Sequence, residues 1–278
     1  KVPNRLHTVA GLPLLEAKGF KRKVLNIVEK LTYRCATKVY PNSFGLKDII
    51  IEKKFVRKGK LKVIANGSSN GIDTSYFDPE LFSWEERQIL KSNLNIQKGD
   101  FVFIFVGRIV GDKGINELIT AFDQLSNEKK KVKLLLVGPL EEELDPLKRP
   151  TKEIIKMNKQ IISVGFQKDV RPYFAISDVL VFPSYREGFP NVVLQAGAMN
   201  SPSIVSDING CNEIIEENKN GFIIPVKDSD ALYKAMIKVT KDTEMKKISR
   251  QMITNRFEQK IVWEALLEEY KSLMSKYV

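Results

Sequence analysis

Two short stretches hold the side chains best suited by type and spacing to chemistry. The first is Gly107-Arg-Ile-Val-Gly-Asp-Lys-Gly114, which follows the apolar run Phe101–Val106 and opens a helical pattern. A glycine-rich turn between strand and helix lets backbone N–H groups and a helix N-terminus face an anion. Arg108 and Lys113 add two cations at the carboxyl end of a strand, where open parallel sheets bind ligands. The spacing excludes a phosphate-binding P-loop, because three residues separate Gly107 from Gly111 and Gly114 follows the lysine. It also lacks G-x-G-x-x-G, the dinucleotide fingerprint. Taken alone, this stretch reads equally well as a surface loop with two solvated charges.

The second stretch is Glu187-Gly-Phe-Pro-Asn-Val-Val-Leu-Gln195. Pro190 suits the first turn of a helix, so the residues before it form a loop at the carboxyl end of strand 178–182. Glu187 then hangs at a crevice as an acceptor for hydroxyl groups, and the helix start behind it favours an anion. Gln195 follows about one and a half turns along that helix. The alternative is that Glu187 caps the helix and Gln195 faces solvent.

Other reactive residues are few. His7 is the lone histidine, expected at a strand end before Thr8-Val-Ala-Gly11. Cys35 and Cys211 are the two cysteines, which excludes a disulfide framework and zinc sites built from several Cys and His ligands. Asp228-Ser-Asp230 matches a D-x-D metal–diphosphate pattern, but Asp230 precedes the stripe Leu232, Ala235, Met236, Val239 and reads better as a helix N-cap. Asn66-Gly-Ser68 fits a glycosylation sequon that no secretory signal supports.

The elements that must position these residues follow from periodicity. From about residue 98, short apolar runs alternate with helical patterns: strands at 101–106, 133–137, 161–164, 178–182, 203–206 and 222–226. Helices are expected near 151–158, 170–176, 190–199, 210–217, 229–240, 244–254 and 257–276, and after the first strand on Ile115, Leu118, Ile119, Phe122 and Leu125. Such alternation gives parallel strands with crossover helices, a doubly wound sheet. The first 66 residues read as part of a second α/β unit. Strand candidates there are 5–8, 38–40 and 61–65, with a helix at 44–55 and a long helix placing Val24, Leu25, Val28 and Leu31 on one face. Residues 67–97 read as the connection, and residues 257–278 as a C-terminal helix packing back toward the N-terminal domain.

Charge is unevenly placed along the 278 residues. The formal net charge is +11, and residues 1–60 alone hold 15 Lys or Arg against 4 Asp or Glu. That asymmetry suggests an anionic partner, or else a lysine-rich solvated face. Nucleic acid is disfavoured, because no nucleic-acid-binding motif accompanies the charge.

Taken together, these residues resemble a known family. Glu187-Gly-Phe-Pro-Asn-Val-Val-Leu-Gln-Ala resembles the E-x7-E motif of retaining GT-B glycosyltransferases of the family 4 type, in the style of capsule and O-antigen polysaccharide enzymes. Val164-Gly-Phe, Ser177-Asp-Val-Leu-Val-Phe-Pro-Ser, Ser206-Asp-Ile-Asn-Gly and Asn220-Gly-Phe match in order and spacing. Gly107-Arg108 with Lys113-Gly114 is similar to the family's diphosphate-binding G-R-x4-K-G, and Asn66-Gly-Ser-Ser-Asn-Gly-Ile-Asp to its interdomain stretch. The likeness spans roughly residues 60–275.

The resemblance implies a GT-B-like α/β fold, with a complete C-terminal nucleotide-sugar-binding domain at 98–256 and a partial Rossmann-like acceptor-side domain at 1–66. It implies transfer from a nucleotide sugar, with UDP favoured, to a glycan or lipid-linked acceptor. Transfer would retain configuration and use no cofactor or metal. Arg108 and Lys113, after Gly107, would hold the diphosphate, and Glu187 would grip the donor sugar. Backbone N–H groups at Asn191 and Val192 would touch phosphate, position 195 the ribose, and the backbone by Phe166 the base. His7 would sit at the acceptor side of the cleft. The expected setting is cytoplasmic, with the basic segment in peripheral contact with an anionic membrane at its inner face. Two departures stand out: Gln195 replaces the second acid of E-x7-E, and about half an acceptor domain is expected to be absent. Those departures motivate a rival reading, a nucleotide-sugar-binding module without turnover. A nicotinamide-dependent oxidoreductase is a weaker rival.

Overall fold

The computed structural model describes residues 2–15, 17–141, 143, 145–242 and 244–275. Its elements run β1 (Leu6–Val9), α1 (Gly19–Cys35), β2 (Lys38–Pro41), α2 (Phe44–Glu52), α3 (Trp84–Asn93), β3 (Phe101–Val106), α4 (Ile115–Glu128), β4 (Val132–Val137), α5 (Arg149–Met157), β5 (Ile161–Gly165), α6 (Arg171–Ala175), β6 (Val179–Phe182), α7 (Asn191–Ala198), β7 (Ser203–Ser206), α8 (Cys211–Ile214), β8 (Gly221–Ile224), α9 (Ser229–Val239), α10 (Glu244–Phe257) and α11 (Gln259–Met274).

β3 to β8 form one six-stranded sheet in the order β5-β4-β3-β6-β7-β8, with every neighbouring pair parallel. Parallel strands covered by helices on both faces must be apolar on both faces. Val102, Phe103, Ile104 and Phe105 on β3 and Leu134, Leu135, Leu136 and Val137 on β4 are accordingly buried. α4 turns Leu118, Ile119, Phe122 and Leu125 into the same core. The chain order reverses between β3 and β6, so the loops after these two strands flank the sheet's switch point.

β1 and β2 pair in parallel as a separate two-stranded sheet. Its own core joins Val9, Leu14, Tyr33, Val39, Leu46 and Ile50. The strand expected at 61–65 reduces to one isolated bridge, Val39 to Leu61, because the chain then turns through a left-handed Ala65 into the connection. α1 corrects a second expectation. Of Val24, Leu25, Val28 and Leu31, only Leu25 packs on the N-terminal core; Val24, Val28 and Leu31 are exposed, together with Phe20 and Ile27. The buried member of the helix is Tyr33, so its inner stripe is rotated away from the apolar one.

The connection expected at 67–97 contains a helix, α3. Ser83 and Glu86 form a reciprocal capping box at its start. The stretch before it is pinned to the break between α10 and α11: Ile72 N–H donates to Phe257 O at 2.8 Å and Gln259 N–H to Ile72 O at 3.0 Å. α11 then reaches the N-terminal unit, where the half-exposed Lys62 pairs with the buried Glu269 and Tyr40 donates to Glu269 at 3.2 Å. No described helix is long and apolar enough to cross a membrane.

Candidate active site

The loop after β3 and the loop after β6 meet because glycine lets them. Gly114 has φ +72°, and a Cβ there would lie 2.1 Å from the Pro183 carbonyl oxygen. Gly188 lies as close to the N-terminal unit, since its Cβ would stand 1.8 Å from Ala10 O. Any side chain at either position would force the backbones apart. Together these contacts build a cleft of about 630 Å³ between the two units.

One wall of that cleft is charged, carrying Arg108, Asp112, Lys113, Arg186 and Glu187. The Lys113 ammonium donates to Glu187 Oε1, and both side chains are largely buried. Ser184, itself buried, donates to the same oxygen at 2.8 Å. Arg108, half-exposed, pairs with Glu141 at 3.3 Å, and Arg186 with Asp112 at 2.8 Å. Tyr185 donates its hydroxyl to Glu117 at 2.7 Å; burial, reinforced by that carboxylate, holds its proton far above the ordinary range. The opposite wall is apolar, with Leu12, Pro13, Leu15, Leu46 and Ile49 from the N-terminal unit.

The structure brings together Arg108, Lys113 and Glu187, and does not bring His7 to them. His7 lies within β1 rather than at its end, with its ring 5.6 Å from that of Tyr33, and it does not line the cleft. Gly107, at φ +150°, belongs to a glycine row along the carboxyl edge with Gly138 and Gly165. Gly107 N–H donates to Val137 O, and Gly138 N–H to Gly165 O at 2.9 Å. Phe166 follows this row with its ring exposed. Beside it lies a second cavity of about 260 Å³, lined by Ile109, Leu136, Leu140, Leu147 and Ile155 with Ser163 and Lys152.

Asn191 and Val192 open α7, where helix geometry leaves backbone N–H groups without intrahelical acceptors. Gln195 is half-buried one turn further on. Asp228, not Asp230, caps α9, accepting from Ala231 N–H at 2.8 Å; Asp230 sits in the first turn. Among the described residues no three His, Cys, Asp or Glu side chains are grouped to hold a metal ion. Cys211 is fully buried, and burial, then the nearby Glu187 charge, pushes its thiol well above the ordinary range, which leaves it inert.

Sequence reasoning assigned no role to Ser184 or Asn209. Both lie within runs that carried the family likeness, which was the only signal available. Asn209 donates to the carbonyls of Glu187, at 3.2 Å, and Gly188, at 2.7 Å.

Two α/β units with parallel strands enclose a cleft lined by Arg108, Lys113 and Glu187, beside the switch point of the larger sheet. Residues 86–259 match the family described as glycosyl transferases group 1. The capsular polysaccharide biosynthesis glycosyltransferase CapM of Staphylococcus aureus is 33% identical over 278 residues, covering 99% of this chain and 72% of its own length. The UDP-Gal:alpha-D-GlcNAc-diphosphoundecaprenol alpha-1,3-galactosyltransferase of Escherichia coli is 29% identical over 265 residues, covering 92% and 66%. Among solved structures, HepE of Anabaena in complex with UDP and glucose superposes with a TM-score of 0.81 at 21% identity, over 97% of this chain and 72% of that one. The chain belongs to the group 1 glycosyltransferases, and its fold is that of GT-B enzymes.

Proposed function

We propose that this glycosyltransferase moves a hexose-type sugar from a UDP-sugar to a lipid-linked glycan acceptor in cell-surface polysaccharide synthesis. Transfer retains configuration and needs no metal. The observation that carries the proposal is the Lys113–Glu187 pair beside Arg108 in the cleft at the switch point. The names of the staphylococcal and E. coli relatives support the polysaccharide and diphosphoundecaprenol-linked acceptor, and the UDP complex of HepE supports the donor.

Breaking a sugar–phosphate bond builds negative charge on the departing diphosphate. Fixed cations stabilise that charge more in the transition state than before it, and this difference accelerates the step. Lys113 has three donors, so it can hold Glu187 and a phosphate oxygen together. Both bonds to the Glu187 carboxylate fall on Oε1, and Oε2 is assigned to a hydroxyl of the donor sugar. The N–H groups of Asn191 and Val192 are assigned to phosphate, Gln195 to the ribose, and the cavity beside Phe166 to the base. Gln195 can accept from one hydroxyl and donate to another, which keeps the ribose contact without the charge.

α1 supports a membrane setting at the cytoplasmic face. Its exposed Val24, Ile27, Val28 and Leu31 recur at helical spacing, beside Lys21, Arg22, Lys23, Lys30 and Arg34. An apolar stripe bordered by cations suits an anionic lipid surface.

Calorimetric titration tests the donor reading. UDP should bind much more tightly than uridine in excess EDTA, with NADH inert, and the anomeric proton of the product should report retention by NMR. Equal affinity for UDP and uridine would remove the diphosphate assignment.

A further inference from the structure

The start of α2 touches the catalytic wall through two side chains of the other unit. Glu213, on α8, accepts from Phe44 N–H at 2.7 Å through Oε2 and from Gly45 N–H at 2.9 Å through Oε1. Ser43 satisfies the next amide, Leu46 N–H, at 3.1 Å, and donates its own hydroxyl to Asn209 Oδ1 at 2.8 Å. The two carboxylate bonds therefore close a helix end across the domain boundary, where the helix dipole favours negative charge. The approach is close: a Cβ at position 45 would stand 2.4 Å from Asn209 Oδ1 and would push that amide from its place.

Asn209 uses both ends of its amide. Its oxygen accepts a hydrogen bond from the Ser43 hydroxyl of the N-terminal unit, and its nitrogen donates to the carbonyls of Glu187 and Gly188. The backbone that carries Glu187 is thus tied by one side chain to the first turn of α2. Glu213 holds that turn from the same side.

We propose that Asn209 is a positioning residue for Glu187, and that with Glu213 it couples docking of the N-terminal unit to the placement of the Glu187 carboxylate. This rests on the reading of Glu187 given above. When α2 is seated, the amide of Asn209 is held by Ser43 and fixes the two carbonyls. When α2 leaves, Asn209 loses its anchor and the Glu187–Gly188 turn is released. Donor-sugar contact is thereby made conditional on the acceptor-side unit being in place, while the diphosphate contacts of Arg108 and Lys113 are left alone.

The test uses the full chain with Asn209→Ala, Asn209→Asp, Glu213→Ala and Glu187→Gln. The aspartate variant keeps an acceptor for Ser43 but loses the donors to the carbonyls. Both Asn209 variants should lower kcat tenfold or more, with the UDP Kd within threefold of the parent. Combined with Glu187→Gln, Asn209→Ala should slow turnover no further, because the two act through one carboxylate. Amide hydrogen exchange should quicken at Phe44–Leu46 in Glu213→Ala and, with it, at Tyr185 and Val193, whose hydrogen-bonded amides flank the Glu187–Gly188 turn, while β3 and β4 stay protected. Full kcat in both Asn209 variants, alongside a slow Glu187→Gln, would overturn the coupling. So would quickened exchange confined to Phe44–Leu46. If Glu187→Gln kept full turnover, the role given to Glu187 would fall, and the exchange measurement would still decide the coupling.

Discussion

In the C-terminal unit, β3 and β4 hide Phe103, Ile104, Phe105, Leu134 and Leu135 completely, whereas in the N-terminal unit α1 presents Phe20, Val24, Ile27, Val28 and Leu31 to solvent. Both sets are strongly apolar and regularly spaced. They differ in what lies opposite. The six-stranded sheet has helices on both faces, so each apolar side chain meets another. α1 packs through Leu25 and Tyr33 and leaves its second stripe uncovered. Apolar periodicity therefore marks an element's type, and only its neighbours decide whether the apolar face stabilises the fold or contacts something else.

The largest effect should come from the core side of this contrast. Phe105→Ala should cost about 3–5 kcal/mol in urea unfolding, while Val28→Ala should stay within about 0.5 kcal/mol. A comparable loss at Val28 would mean that α1 is buried by something in solution. Next in size is the cleft. Lys113→Ala should weaken UDP binding by about 1.5–3 kcal/mol, the worth of a hydrogen bond to a charged group. Arg108→Ala should cost less, because its side chain is more exposed and more screened. Uridine affinity should hardly change in either variant; a parallel loss for uridine would move the pair out of the phosphate site.

The exposed side of the contrast can be measured with vesicles. Sedimentation with anionic vesicles at low salt should recover the protein in the pellet, and zwitterionic vesicles should leave it in the supernatant. Replacing Lys21, Arg22 and Lys23 with serine should weaken the association by about 1 kcal/mol per charge. Equal recovery with both lipids would leave α1 as a solvated face. The smallest effect concerns the D-x-D pattern. Asp228→Ala should cost about 1 kcal/mol of stability as a lost cap, and turnover should persist in excess EDTA. A metal requirement abolished by Asp228→Ala would reassign that pair.

Much of the candidate site could be read before any coordinates. The glycines at 107, 114 and 188, the cations at 108 and 113 and the acid at 187 all carry local signals. These are turns that need freedom, charges at strand ends and a proline that starts a helix. His7 stands apart from the cleft lining, and a lone histidine near a strand carries no information about which way the strand faces. Asn209 and Glu213 were silent for another reason: their partners, Ser43, Phe44 and Gly45, lie more than 160 residues away in the chain. Asp228 and Asp230 both precede the same apolar stripe, and only the backbone distinguishes the cap, Asp228, from the first turn, Asp230.

Periodicity and composition were enough for the succession of strands and helices from residue 98 onward, the two loops that bear the charged side chains, and the confinement of excess positive charge to the first 60 residues. These are local properties, written in periodicity, turn chemistry and composition. The tertiary structure decided the strand order, which sets β6 beside β3 and so brings Glu187 to Lys113. It also decided which stripe of α1 faces outward, and that α2 is capped from across the cleft. Each of these depends on which distant surfaces pack together, and packing is selected by the whole set of apolar faces at once rather than by any one segment.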